Sequence, residues 1–310
     1  MKMSGIGGQA VIEGIMMKNK DKYSVAVRKP DKEIELCIKD YKSITKGNKI
    51  LNLPFIRGVF NFVDSLILGM SVLMYSADFY MDEEEEEISK KNEKNDKSVF
   101  KEKAESAIIV LTVLASFIAA MLLFVVAPSL ISDYFGKITG IKSYTLISIV
   151  EGFLRIFIFL AYIILISKMS DIERTYMYHG AEHKCINCIE HGMELNVENV
   201  MKSSRFHKRC GTSFLFLVMI ISVIIFVLIP VSSPGQKVLV RILMIPVVAG
   251  ISYEVLRFAG KHEGKIVDIV SAPGLCLQRV TTKEPTEDMV EVAIAAVEAV
   301  FDWKQFLEEY

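Results

Sequence analysis

The sequence predicts an α-helical membrane protein with four transmembrane helices, one interfacial or bundle-packed helix, and cytoplasmic α+β segments at both ends. Three observations predict it. Apolar residues make up 52% of the 310 positions and mean hydropathy is +0.37, which makes lipid part of the solvent. Residues 106–128 and 214–233 carry no charged side chain, and each matches the roughly 20 residues that cross a hydrocarbon core. Lys and Arg are gathered in some connections and scarce in others, as the positive-inside rule requires.

Residues 1–53 read as a β-containing cytoplasmic module. Tyr23 to Val27 and Glu33 to Ile38 alternate like paired strands around Lys29-Pro30-Asp31-Lys32, which predicts a hairpin. Met1 to Ala10 lacks the basic and apolar regions of a cleavable signal. Residues 54–81 form an apolar stretch interrupted by Arg57, Asp64 and Gly69. If it crossed the membrane, the eleven Lys and Arg of residues 1–53 would lie outside, so it reads as an interfacial or bundle-packed helix. Residues 82–105, an acidic run followed by a Lys-rich tract, read as a charged linker.

Residues 106–259 form the four-span domain. Besides the two uncharged spans, 144–167 and 238–259 are long and mostly apolar with embedded charge: Glu151 and Arg155 in the first, Arg241, Glu254 and Arg257 in the second. Glu151 and Arg155 stand one helical turn apart and read as an ion pair. Ser233-Pro234-Gly235 reads as the tight turn closing the second hairpin. Residues 82–105, 168–213 and 260–310 carry six, seven and five Lys and Arg, whereas 129–143 and 234–237 carry two and one. Both termini and the 168–213 loop are therefore expected inside a multi-pass cell-membrane protein. Residues 260–310 end in a helix led by Pro285, with Val290, Ala293, Ile294, Val297 and Val300 on one apolar stripe. Net charge is −1, so membrane lipid is expected as a partner and nucleic acid is not. None of the five cysteines falls in an outward segment, and reduced thiols are expected.

The chemistry is expected in the 168–213 loop, which reads Tyr178-His179-Gly180-Ala181-Glu182-His183-Lys184. On a helix the H-x-x-E-H residues share a face, so His179 and His183 can hold one metal with Glu182 as general base. Zinc, or another divalent metal, is expected because neutral imidazole is a good ligand for it. Ser170-Asp171-Ile172-Glu173 reads as a capping box that starts this helix. A third ligand is needed. Glu254 follows His183 by 71 positions, comparable to the ligand glutamate of the inverzincin metallopeptidases, and ionisable residues within spans are functional candidates; His207 is the other choice. A rival arrangement, Cys185 and Cys188 with His207 and Cys210, has the spacing of a closed structural zinc site. Arg205 and Arg209, flanking His207, suit an anionic substrate group or a lipid phosphate. Gly5-Ile6-Gly7-Gly8 lacks the context of a dinucleotide fingerprint.

With these segments in place, the chain resembles the YqhQ-like family of uncharacterised bacterial membrane proteins, which carries the label of predicted metal-dependent enzymes. The resemblance runs nearly end to end and rests on GGQAVIEGIMM at 7–17, Arg57-Gly58, YHGAEHK at 178–184, RFHKRCGTSF at 205–214, SYE at 252–254 and PGLCLQRVTTKEP at 273–285. It implies that the open H-x-x-E-H site prevails over the cysteine-rich one. It also implies that Gln9, Glu13, Gln278, Thr281, Thr282 and Glu284, with Cys210, line the same cavity. The functional expectation is a cytoplasm-facing metal-dependent hydrolase. The alternative is a non-enzymatic membrane scaffold or regulator with a structural metal or none. A transporter fits less well, since the four spans show no inverted repeat.

Overall fold

The structure is a computed structural model that describes residues 2–80, 111–231, 233–260, 262 and 264–309. The charged linker and the first five residues of the 106–128 span lie outside the described residues. The chain is mostly helical, with one four-stranded antiparallel sheet. It forms two compact units, one of Met1–Phe79, Tyr162–Ile221 and Pro246–Tyr310, the other of Tyr80–Ala161 and Ser222–Ile245.

In the first unit, β1 (Gly7–Val11), β2 (Gly14–Asn19), β3 (Lys22–Arg28) and β4 (Ile34–Asp40) pair in sequence order as a meander. The expected hairpin is β3 and β4, with Val25 opposite Cys37. Both faces of the sheet are packed at β2 and β3, where alternate residues go to opposite sides, while Leu36 and Ile38 of the edge strand β4 are exposed. Val11, Met16, Val25 and Val27 face helix α1 (Ile56–Ala77) through its Leu68, Val72 and Tyr75. Ile15, Met17 and Ala26 pack into a second, larger core on the other face.

Helix α1 therefore has two characters. Its Gly58, Asp64, Gly69, Val72 and Ser76 are buried, and Asp64 accepts a hydrogen bond from the Tyr41 hydroxyl. Val63, Leu66, Ile67, Met70 and Met74 are exposed. By length and composition Ile56–Tyr80 is apolar enough to cross a membrane.

Three further helices meet the same criterion: α2 (Leu111–Thr139), α3 (Tyr144–Ile166) and α6 (Gly211–Leu228). A bent pair, Gly235–Leu243 with Ile245–Ala259, brings the number to five if it counts as one span. The second unit contains α2, most of α3, and the first member of that pair. Helix α2 runs past the expected end of its span through a π-helical turn at Leu122–Val126. Pro128 has no N–H to give the Phe124 carbonyl, and that carbonyl accepts from Arg155 Nε at 3.1 Å instead. Arg155 also pairs with Glu151 at 2.9 Å, as the spacing predicts. Ser233-Pro234-Gly235 is not a hairpin turn. Ser233 caps α7 (Pro234–Leu243), its hydroxyl accepting from Gln236 N at 3.2 Å, and Pro sits at the first helical position, where its missing N–H costs nothing. The expected single span 238–259 is instead broken at Met244, before α8 (Ile245–Ala259), with a 42° bend; Pro246 has no N–H to give the Ile242 carbonyl.

The larger core of the first unit gathers α4 (Ser170–Glu190), α5 (Val197–Lys202) and α10 (Glu287–Glu298) over the sheet. Helix α9 (Lys265–Thr281) precedes α10. Val290, Ala293 and Val297 are fully buried there, so the predicted apolar stripe packs on the β-module. Pro285 lies outside the helix, which Thr286 precedes, and the C-terminal helix is interrupted before α11 (Trp303–Glu308). The capping box at the start of α4 is also absent. Met169 occupies the cap position, and the Ser170 hydroxyl bonds Asp171 at 3.2 Å rather than a backbone amide. The predicted helix break is nevertheless there, with three residues separating α3 from α4.

Candidate functional site

Helix α4 supplies the H-x-x-E-H residues, and its partners approach closely. The segment after α9 lies across it, with Lys283 N donating to Tyr176 O at 2.9 Å. A Cβ on Gly180 would stand 1.9 Å from Lys283 O, so only glycine admits this crossing. The crossing brings the Thr281 carbonyl to His179, which donates from Nδ1 at 2.8 Å. His183 donates from Nδ1 to Arg205 O at 2.7 Å. With both Nδ1 atoms donating to backbone carbonyls, both Nε2 atoms carry lone pairs, the tautomer a metal ligand needs.

Those lone pairs converge with a thiol. His179 Nε2 lies 3.2 Å from Cys210 Sγ. The candidate ligand atoms of His179, His183 and Cys210 all fall within 4.8 Å of one another, the group of this kind found among the described residues. Burial pushes the His183 imidazole below its usual range, with a hydrogen bond to the Cys210 sulfur acting the other way, and this favours the neutral, ligating form. Cys210 immediately precedes α6.

Beside the cluster is a cavity of about 220 Å³, lined by Gly5 to Gly8, His179, Glu182, His183, His207 and Arg209. Burial raises the Glu182 carboxyl, offset in part by His179 and by the Gly8 amide. A Cβ on Gly8 would press to 2.6 Å on Met16 O and 3.0 Å on Glu182, so glycine lets this strand edge approach the carboxylate. Behind His207 and Arg209, Glu190 is fully buried and paired with Arg209. It lies 3.5 Å from His207 Nε2 and accepts from Ser4 N and Oγ at 2.8 Å. Burial alone would raise the Glu190 carboxyl, but His207, Ser4 and Arg209 outweigh it and hold it at about 2. Glu190 was not a sequence candidate. Its signal is helical spacing, since 179, 183, 186 and 190 fall on one face of α4.

Several other sequence candidates act one layer out. Gln278, fully buried, clamps the loop that carries Cys210: His207 N donates to its Oε1 at 2.9 Å, and its Nε2 donates to His207 O at 2.8 Å and Ser213 Oγ at 3.1 Å. Thr281 contributes its carbonyl to His179. Thr282 accepts from Arg205 through its backbone oxygen. Glu284 pairs with Lys184 at 2.9 Å and Arg205 at 3.2 Å. Gln9 faces the other side of the sheet, against Gly69 of α1, because neighbouring residues of β1 alternate and Gly8 takes the cavity side. Glu13 sits on the β1–β2 turn, paired with Arg174 and 3.3 Å from the Tyr178 hydroxyl.

Glu254 is not brought to the histidines. Arg57 donates from Nε to one of its oxygens at 2.7 Å and from Nη2 to the other at 2.5 Å, and the residue grouped with His179 and His183 is Cys210. The closed cysteine site is not assembled either. Cys185 and Cys188 are fully buried in the apolar core over the sheet, with Cys188 Sγ directed to the Glu194 carbonyl at 3.4 Å. Burial raises both thiols, Cys188 to about 11, which disfavours the thiolate a metal requires.

The profile of the DUF1385 family, described as "Protein of unknown function", matches residues 53–303. The uncharacterized protein YqhQ of Bacillus subtilis (strain 168) is 34% identical over 290 residues, covering 93% of this chain and 89% of that protein. No solved structure matches the chain.

Proposed function

The chain belongs to the DUF1385 family of YqhQ-like proteins, and on that premise we propose that it is a membrane-embedded metal-dependent hydrolase with its site toward the cytoplasm. The observation that carries the proposal is the convergence of His179, His183 and Cys210 with both imidazoles locked in the ligating tautomer. Two nitrogens and one sulfur are a donor set suited to zinc, and three protein ligands leave a position open, as catalytic sites do. Bound zinc supplies Lewis acidity and makes water acidic near neutral pH. His179 and His183 would hold it through Nε2 and Cys210 through its thiolate. Glu182, buried at the cavity wall, takes and returns the proton as general base, the role its raised carboxyl favours. Arg209 and His207 face the same cavity and orient a substrate oxygen. The long apolar helices support membrane residence, and the Lys and Arg count supports an inward-facing 168–213 loop.

Glu182→Gln tests the assignment. The variant is expected to keep its metal while hydrolysis of p-nitrophenyl carboxylate and phosphate esters falls by about 10²- to 10⁴-fold. Undiminished hydrolysis would remove Glu182 from the mechanism. The 3.2 Å approach of Cys210 to His179 favours one second reading, a metal-independent Cys–His nucleophile oriented by the Thr281 carbonyl. Chelation separates the two, since activity that survives complete metal removal belongs to the thiol.

A further inference from the structure

We propose that the second unit holds a binding site for a phosphate-bearing anion, built on Lys137, Lys142 and Lys237. The site is independent of the metal reading. Its first support is a buried surplus of positive charge. Glu151 is surrounded by three cations: Arg155 at 2.9 Å, Lys237 at 2.9 Å, and Arg241, which reaches both its oxygens. Lys237 also pairs with Asp133 at 2.6 Å. Among the described residues, three cations thus face two carboxylates in a cluster whose Arg155, Lys237 and Arg241 side chains are all at most 6% exposed. Both guanidinium groups rest on the Phe226 ring, at 5.1 and 4.9 Å from its centre. This softens the imbalance without cancelling it. An unbalanced charge in an apolar surrounding is costly, and a counter-anion relieves it.

The second support is an opening next to that cluster. A pocket of about 660 Å³ is lined by Asp133, Lys137, Lys142, Tyr144 and Lys237, so the buried lysine that bridges Asp133 and Glu151 is also a wall of the pocket. The connections 129–143 and 234–237, the poorest in Lys and Arg, hold three lysines between them. All three line this one pocket. Two buried hydroxyls of the same unit, Ser129 and Ser148, lack hydrogen-bond partners among the described residues, and Ser148 stands one turn before Glu151. A compartment of this size takes more than a halide, and lysine ammonium groups are point-charge phosphate binders. The phosphodiester of an anionic lipid and free phosphate share this chemistry.

Native mass spectrometry of the detergent-purified full chain, with phosphatidylglycerol and phosphatidylcholine of matched acyl chains, tests the site. Wild type is expected to retain phosphatidylglycerol in preference. Lys137→Ala/Lys142→Ala, which alters only exposed positions and leaves the buried cluster intact, is expected to weaken that retention by about tenfold or more, given about 1 kcal/mol per lysine. Equilibrium dialysis of inorganic phosphate identifies the source. Phosphate that binds and displaces the lipid marks a free-anion site, and phosphate that does neither marks a headgroup site, both consistent with the proposal. Equal retention of the two lipids together with no phosphate binding overturns it, as does undiminished binding of both ligands by the double variant.

Discussion

Purified protein is expected to carry about one zinc per chain, and His183→Ala is expected to lower its zinc affinity by on the order of 100-fold or more, since even partners behind a ligand are worth 10- to 100-fold. His183 is 1% exposed, its Nδ1 is fixed on the Arg205 carbonyl, and its Nε2 has the lone pair that completes the set. Removing it leaves His179 and Cys210, two ligands where a tight site needs at least three. Cys210→Ala is expected to lose the metal likewise. Cys188→Ala is the control, because its thiol lies in the apolar core and faces a carbonyl; it should keep its zinc. Metal analysis after dialysis against a graded chelator reads all three.

The second large effect lies in the other unit. Glu151→Gln is expected to destabilise the protein by about 3–5 kcal/mol, the cost of breaking a buried ion network from one side. Glu151 is 1% exposed and is the acid common to Arg155, Lys237 and Arg241. Glutamine keeps the shape but leaves, among the described residues, Asp133 as the remaining carboxylate, paired with Lys237. Unfolding in detergent, followed by helical circular dichroism, measures the loss. A change under about 1 kcal/mol, the size of an ordinary surface substitution, would show that these cations do not depend on Glu151.

The long apolar segments were legible because length and hydropathy are local properties. The H-x-x-E-H face was legible because helical spacing is local too. What the sequence concealed depended on packing. Strands β1 and β2 escaped because the sheet is packed on both faces at β2, so Gly14-Ile15-Met16-Met17 is apolar throughout and shows no alternation. The Ser-Pro-Gly sequence at 233–235 has equal standing as a turn or as a capped helix start, and the chain takes the second. Glu254 drew notice as a charge in an apolar segment. Its reason for being there is Arg57, itself one of the charges that interrupt the 54–78 stretch. Those two anomalies explain each other across nearly two hundred residues, a pairing no local pattern reveals. Spacing put Cys210 in a cysteine set and the family resemblance put it in the cavity; the loop clamped by Gln278 carries it to His179, away from Cys185 and Cys188.

X-ray absorption at the zinc edge of the purified, zinc-loaded full chain tests the central claim most directly. The proposed site predicts two imidazole nitrogens at about 2.0–2.1 Å and one sulfur at about 2.3 Å, with a light-atom ligand in the remaining position. That sulfur contribution should vanish in any zinc retained by Cys210→Ala. A spectrum with no sulfur, a spectrum with three sulfurs, or a protein that binds no zinc would contradict it.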